Sequence, residues 1–397
     1  ASLSTSGDAS IGGNVTTVGT QNFGGNITLT GSDIVLNTTN SNVTVTGNVI
    51  SSGAGSALTI NSGNGVAVIG GGTSDLVTLT INSNSASSRI VDAIAGATHL
   101  IKTGSGTLTL TGANTFTGGT TINDGTLALG ANDVLPNAGV VDVSGGTLAM
   151  GAYSNTVGAV TLSSGAITGT TGVLTGASYA VTNSADTTTI SAVLAGTSGL
   201  TKTGAGALVL SGHNTYTGDT TVTAGSLSLA ANDVLYDGGA VVVNGGTLAI
   251  GAYSDTVGAV ALSSGSITGA GGVLTGASYA VTNTTGTTTI SAALAGTTGL
   301  TKTGAGTLVM SGHNTYTGGT TVTAGTLSLG ANDVFYDGGA LLVNGGTLAI
   351  GAYSDTVDLV TLSSGSITGG AGVLSANGYS ITNSTGTTTV SANLAGA

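Results

Sequence analysis

The feature that most constrains this chain is a repeat within a repeat. "LTKTGAGALVLSGHNTYTG" begins at Leu200, "LTKTGAGTLVMSGHNTYTG" begins at Leu300, and a looser copy, "LIKTGSGTLTLTGANTFTG", begins at Leu100. Lys102, Lys202 and Lys302 therefore align, as do Tyr153, Tyr253 and Tyr353, and Tyr179, Tyr279 and Tyr379, with no insertion between copies. One hundred residues is long enough for an independent domain, so the pattern inside a copy has to decide. There a glycine precedes a short alternating run at Gly306, Gly325, Gly346, Gly365 and Gly386, at spacings of 19, 21, 19 and 21 residues. Five units of about twenty residues fill the hundred, and a period of that length is one coil of a parallel β-solenoid.

The local pattern agrees. In "GTLVM" the residues Leu308 and Met310 lie two apart and point to one face, while Thr307 and Val309 point to the other. In register, Leu308, Leu327, Leu348 and Ile367 form an interior ladder, and Thr307, Thr326, Thr347 and Ser366 an exterior one. Thr388 falls in the interior slot, so the fifth coil is either shifted in register or polar inside; the shift is the reading taken here, and it turns Val390, Ala392 and Leu394 inward. "SGHNTYTGGT" and "VNGGT" separate the runs and supply the glycine and asparagine that corners with positive φ demand. A helix is argued against by an apolar period of two and by glycine, which costs about 1 kcal/mol per residue relative to alanine.

Residues 1–99 are looser solenoid coils, as in "GNITLTG" and "LVTLTIN", with less even spacing and different corner lengths. Residues 100–199, 200–299 and 300–397 are the three regular repeats, and no linker divides them. The expected fold is all-β: one continuous right-handed parallel β-helix of about 20 coils of about 20 residues, on the order of 95 Å long at ~4.8 Å per coil.

Composition removes several functions. The net charge is −12, and Arg89, Lys102, Lys202 and Lys302 are the only basic side chains besides histidine. Nucleic-acid binding needs a dense cationic surface, and a polybasic membrane anchor needs a cluster; neither exists here. No apolar run is long enough to span a bilayer, so no membrane insertion of this segment is expected. "ASLSTSG" suits a mature N-terminus from which a signal has been removed. Without cysteine there is neither a disulfide framework nor a thiolate metal site, and stability must come from repetition.

"LTKTGAGTLVMSGHNTYTGGTTVTAGTLSLG", residues 300–330, closely resembles the autotransporter-associated β-strand repeat of bacterial passenger proteins, with matching segments at 100–130 and 200–230. The resemblance implies a secreted right-handed β-helix, exported by a bacterium with an outer membrane and serving as stalk, adhesin or surface fibre. The membrane barrel that ends such proteins does not follow within these 397 residues.

The residues that tempt a chemical reading are few. His213 and His313 sit in "SGHNTYTG", but the first copy has Ala113 there, so they read as corner decoration; His99 has no counterpart at 199 or 299. Asp233 with Asp237, and Asp333 with Asp337, are weak calcium candidates, against the ordinary reading of aspartate closing a turn; Asn137 replaces the second aspartate in the first copy. The outward Thr107 with Thr109 and Thr187 with Thr189 resemble an ice-binding array broken by other residues, and Tyr153, Tyr253 and Tyr353 form either a glycan-binding series or corner anchors. Clustered carboxylates of the kind that hydrolyse or cleave polysaccharides are absent. No catalytic residue and no cofactor is expected.

Two functions fit. The first is an extracellular structural subunit that stacks head-to-tail on copies of itself, since neither end carries a polar cap and "TTTVSANLAGA" would be inward-facing in every earlier copy. The alternative is a monomeric passenger acting as an adhesin stalk. Host or matrix glycans are possible partners of either, and the expected location is outside the cell or on its surface.

Overall fold

A computed structural model describes residues 1–53, 55–383 and 387–397, so the repeat glycine at 386 lies outside the described residues. The chain forms two compact units, Ala1–Ser198 and Gly199–Ala397. Every regular element among the described residues is a β-strand, and the strands of each unit stack in parallel as solenoid coils.

In the second unit two inward rows run side by side on one face. Leu200, Thr220, Val241, Val260, Tyr279, Leu300, Thr320, Leu341, Val360 and Tyr379 pair in that order. Two residues further along each strand, Lys202, Val222, Val243, Leu262, Val281, Lys302, Val322, Val343, Leu362 and Ile381 do the same. The second face carries the expected ladder: Leu308 pairs with Leu327, Leu327 with Leu348 and Leu348 with Ile367, all almost fully buried. Each such side chain contributes at most about 1.5–3 kcal/mol. Thr307, Thr326, Thr347 and Ser366 line up outside, half-buried, and Thr347 Oγ1 and Ser366 Oγ share a hydrogen bond of 2.9 Å.

The fifth coil satisfies both readings of its pattern. Ile267 pairs with Ile290, two residues beyond the slot that the glycine spacing indicates, so the register does shift. Yet Thr288 is also inward, 2% exposed, and pairs with Leu308 while Ile290 pairs with Met310. Two of the ladders therefore rest on a buried hydroxyl: Ser88 pairs with Leu108 in the first unit and Thr288 with Leu308 in the second. Ala292 and Leu294 are buried as the shift requires, and in the last coil the pairing of Ile367 with Val390 repeats it.

The strands Val241–Gly251 and Leu341–Gly351 run across both faces without a break, and the bend falls on glycines. Gly365, in the strand Asp355–Gly369, has φ +91°, and a Cβ there would collide with the carbonyl oxygen of Gly346 in the coil beneath. Only glycine lets two coils approach at that corner.

The first unit builds the same rows from less regular material. Ile34, Leu58, Leu79, Leu100, Thr120, Val141, Val160 and Tyr179 pair successively, and the steps of 24 and 21 residues at the start tighten to 19 at the end. In this unit Ala9–Ile11, Ile27–Leu29, Val49–Ser51 and Thr73–Ser74 stack in parallel as a separate four-stranded sheet.

Candidate functional site

The basic side chains are the first surprise. Lys102, Lys202 and Lys302 occupy inward slots and are 0% exposed, which the spacing of "LTK" could have shown, because Leu300 and Lys302 share a face. Lys102 Nζ donates to the carbonyls of Thr103 at 2.7 Å, Gly104 at 2.5 Å and Asp124 at 3.3 Å. Lys202 and Lys302 donate to Gly204 and Gly304. Burial pushes all three ammonium groups below the ordinary lysine range, Lys102 to about 8 although the Asp124 carboxylate opposes the shift. These lysines close carbonyl-lined corners, which leaves Arg89 as the exposed basic side chain among the four.

A second polar stack runs along the corner that follows "SGHN". Asn314 is 0% exposed; its Oδ1 accepts from Leu294 N at 2.9 Å, and its Nδ2 donates to Gly312 O at 2.9 Å and Val334 O at 2.7 Å. One coil on, the buried Asp355 accepts from Val334 N at 2.8 Å and Phe335 N at 3.1 Å. Asp255 does the same for Val234 and Leu235 at 2.8 and 3.0 Å, and Asn155 accepts from Leu135 N at 2.8 Å. Asp255 and Asp355 are 2% exposed, and burial raises both to about 6, against the pull of those backbone donors. Asp233 and Asp237 add to the rise at Asp255, as Asp333 does at Asp355. Beside this stack Tyr216 and Tyr316 are buried with their hydroxyls 2.6 Å from Thr220 Oγ1 and Thr320 Oγ1; burial raises Tyr216 to about 12 and Tyr316 further.

The residues singled out in the sequence lie outside this buried machinery. His213 and His313 are exposed, and His313 Nδ1 lies 2.6 Å from Asp333 O; the structural member of "GHN" is the asparagine. His99 is half-buried with Nε2 2.8 Å from Thr121 Oγ1. Asp233, Asp237, Asp333 and Asp337 are exposed, and Asp233 and Asp333 hold φ of +50° and +52° at their turns. Among the described residues no three histidine or acidic side chains converge to hold a metal ion. Tyr153, Tyr253 and Tyr353 are 38%, 37% and 38% exposed. Tyr179 and Tyr279, by contrast, are core: Tyr279 Oη takes Gly276 N at 2.6 Å and reaches Leu274 O and Ala295 O, and burial raises it to about 12.

The passenger-associated-transport-repeat family model matches residues 100–129, 200–229 and 300–329, so the chain carries three copies of that repeat. It is 34% identical over 277 residues to the adhesin BmaC autotransporter of Brucella suis biovar 1 (strain 1330), an alignment that covers 66% of this chain. The aligned region amounts to 8% of that relative's length. No solved structure shows a significant match.

Proposed function

We propose that this chain is a length of right-handed β-solenoid stalk from a passenger displayed on, or released from, the surface of a bacterium with an outer membrane, where it serves adhesion without catalysis. One observation carries the reading. The segment that the family repeats, residues 300–329, supplies Leu300, Lys302, Leu308, Met310, Val322 and Leu327 to the interior, all 0% exposed. What recurs is therefore scaffold, and a scaffold repeated at fixed pitch sets a distance. The likeness to an adhesin supports the same role.

Head-to-tail stacking into a fibre is the second reading, and it would need a coil of another copy to cover the last described coil. Tyr379, Ile381, Val390 and Leu394 are 36%, 59%, 38% and 41% exposed, whereas Tyr279, Val281, Ile290 and Leu294 are 3%, 1%, 2% and 0% exposed. The interior is open at that coil, and a further coil, from the same chain or from another copy, would cover it. Negative-stain imaging of the purified chain separates the two. Isolated rods support the stalk, rods joined end to end over many lengths support the fibre, and compact particles would overturn both.

A further inference from the structure

The corner at residues 133–139 has one backbone in all three repeats and different side chains. Asp133, Asp233 and Asp333 have φ of 52°, 50° and 52°. Gly139 N donates to Pro136 O at 2.9 Å, Gly239 N to Tyr236 O at 3.0 Å and Gly339 N to Tyr336 O at 2.8 Å. Around this common turn the first repeat has Ala113, Phe116, Pro136, Asn137 and Asn155, where the other two have His, Tyr, Tyr, Asp and Asp. All five differences remove an ionisable group. In the third repeat the ring of Tyr336 lies over its own turn, so close that a Cβ on Gly338 would come 2.9 Å from it, and no water-sized space remains beside Tyr316 and Phe335. In the first repeat that ring is gone, and a cleft of about 370 Å³ opens between Thr115, Phe116, Thr117, Asp133, Pro136 and Asn137.

We propose that this cleft binds one neutral sugar ring. Its volume falls at the small end of the ~300–1,000 Å³ range of small-molecule sites, which suits a single ring rather than a chain. Asp133 is the one titratable group in the lining, so an anionic ligand is repelled. The side chains of Thr115, Asp133 and Asn137 are exposed and make no hydrogen bond to the protein among the described residues, while Asn114 behind them is fixed to Ile94 N and Gly112 O. Hydroxyl, amide and carboxylate groups beside the apolar edge of Pro136 match a ligand that alternates hydroxyls with C–H faces. The inference goes beyond the stalk reading and does not depend on it, because a rod of any role can carry the cleft.

Saturation-transfer NMR on the intact chain tests it, with glucose, galactose, mannose and N-acetylglucosamine as neutral probes and N-acetylneuraminic acid and glucosamine as charged ones. At least one neutral sugar is expected to receive saturation at millimolar concentration, with the signal abolished in Pro136→Tyr and weakened at least fivefold in Asn137→Ala. Pro136→Tyr is expected to fold normally, since tyrosine fills that position in the other two repeats, and an unchanged melting temperature verifies this. Tyr336→Pro combined with Asp337→Asn should open a second cleft and double the bound sugar. Absence of transfer to every neutral probe, persistence of transfer in Pro136→Tyr, or preference for a charged sugar would each overturn the proposal.

Discussion

Asp255 and Asp355 are carboxylates taken out of water with only backbone N–H groups for company, and Asp255 Oδ1 is buried without any donor. Their folded-state value of about 6 lies above the ordinary 3.8, so between those limits the folded chain binds protons that the unfolded chain releases. The sign follows: each contributes a stabilisation that is fully present below about pH 4 and lost as pH rises through 6. The melting temperature is therefore expected to be higher at pH 4.5 than at pH 7.5, with each residue worth on the order of 2–3 kcal/mol. Asn155 shows that a neutral amide can accept the same backbone donor. Asp255→Asn with Asp355→Asn should therefore stabilise the chain at pH 7.5 and flatten the profile; calorimetry across that range checks both, and an unchanged slope would show that other carboxylates govern it.

Among the elements, inward and outward slots should respond unequally. Leu308→Asp places a carboxylate between Leu327 and Thr288 with no partner and is expected to cost at least about 3 kcal/mol, whereas Thr307→Asp on the half-buried outer row should cost under about 1 kcal/mol. Urea titration of the two variants distinguishes them. Gly365→Ala should destabilise by about 1–3 kcal/mol through its positive φ alone, and by more through the Gly346 carbonyl; Gly7→Ala, with open space around it, serves as the mild comparison. The glycine spacing and the two-residue alternation made the Leu308 ladder and its neighbours legible in the sequence, because both follow from local geometry. The buried Lys302 was hidden by its charge, which normally means exposure, and the corner role of Asn314 and Asp355 by distance, since each caps a coil about twenty residues away. The cleft at Pro136 was illegible for a different reason: it exists by the absence of a ring that only the other copies reveal.

At the scale of the whole molecule, stability should be independent of metal. The ladders are apolar, the polar stacks close on backbone groups, and adding a chelator is expected to move the melting temperature by no more than a few degrees; a larger loss would revive the calcium reading of Asp233, Asp237, Asp333 and Asp337. The step in register at Thr288 has a further consequence, for how such a chain can change over generations. Coils are not interchangeable, because Leu308 rests on Thr288, Leu327 rests on Leu308, and Val334 is held between Asn314 and Asp355. Losing one coil by recombination brings together neighbours that never evolved to touch, while losing or gaining one hundred residues rejoins every slot to its own kind. The solenoid can thus be lengthened without mismatched neighbours in whole steps of five coils, each step about 24 Å at ~4.8 Å per coil.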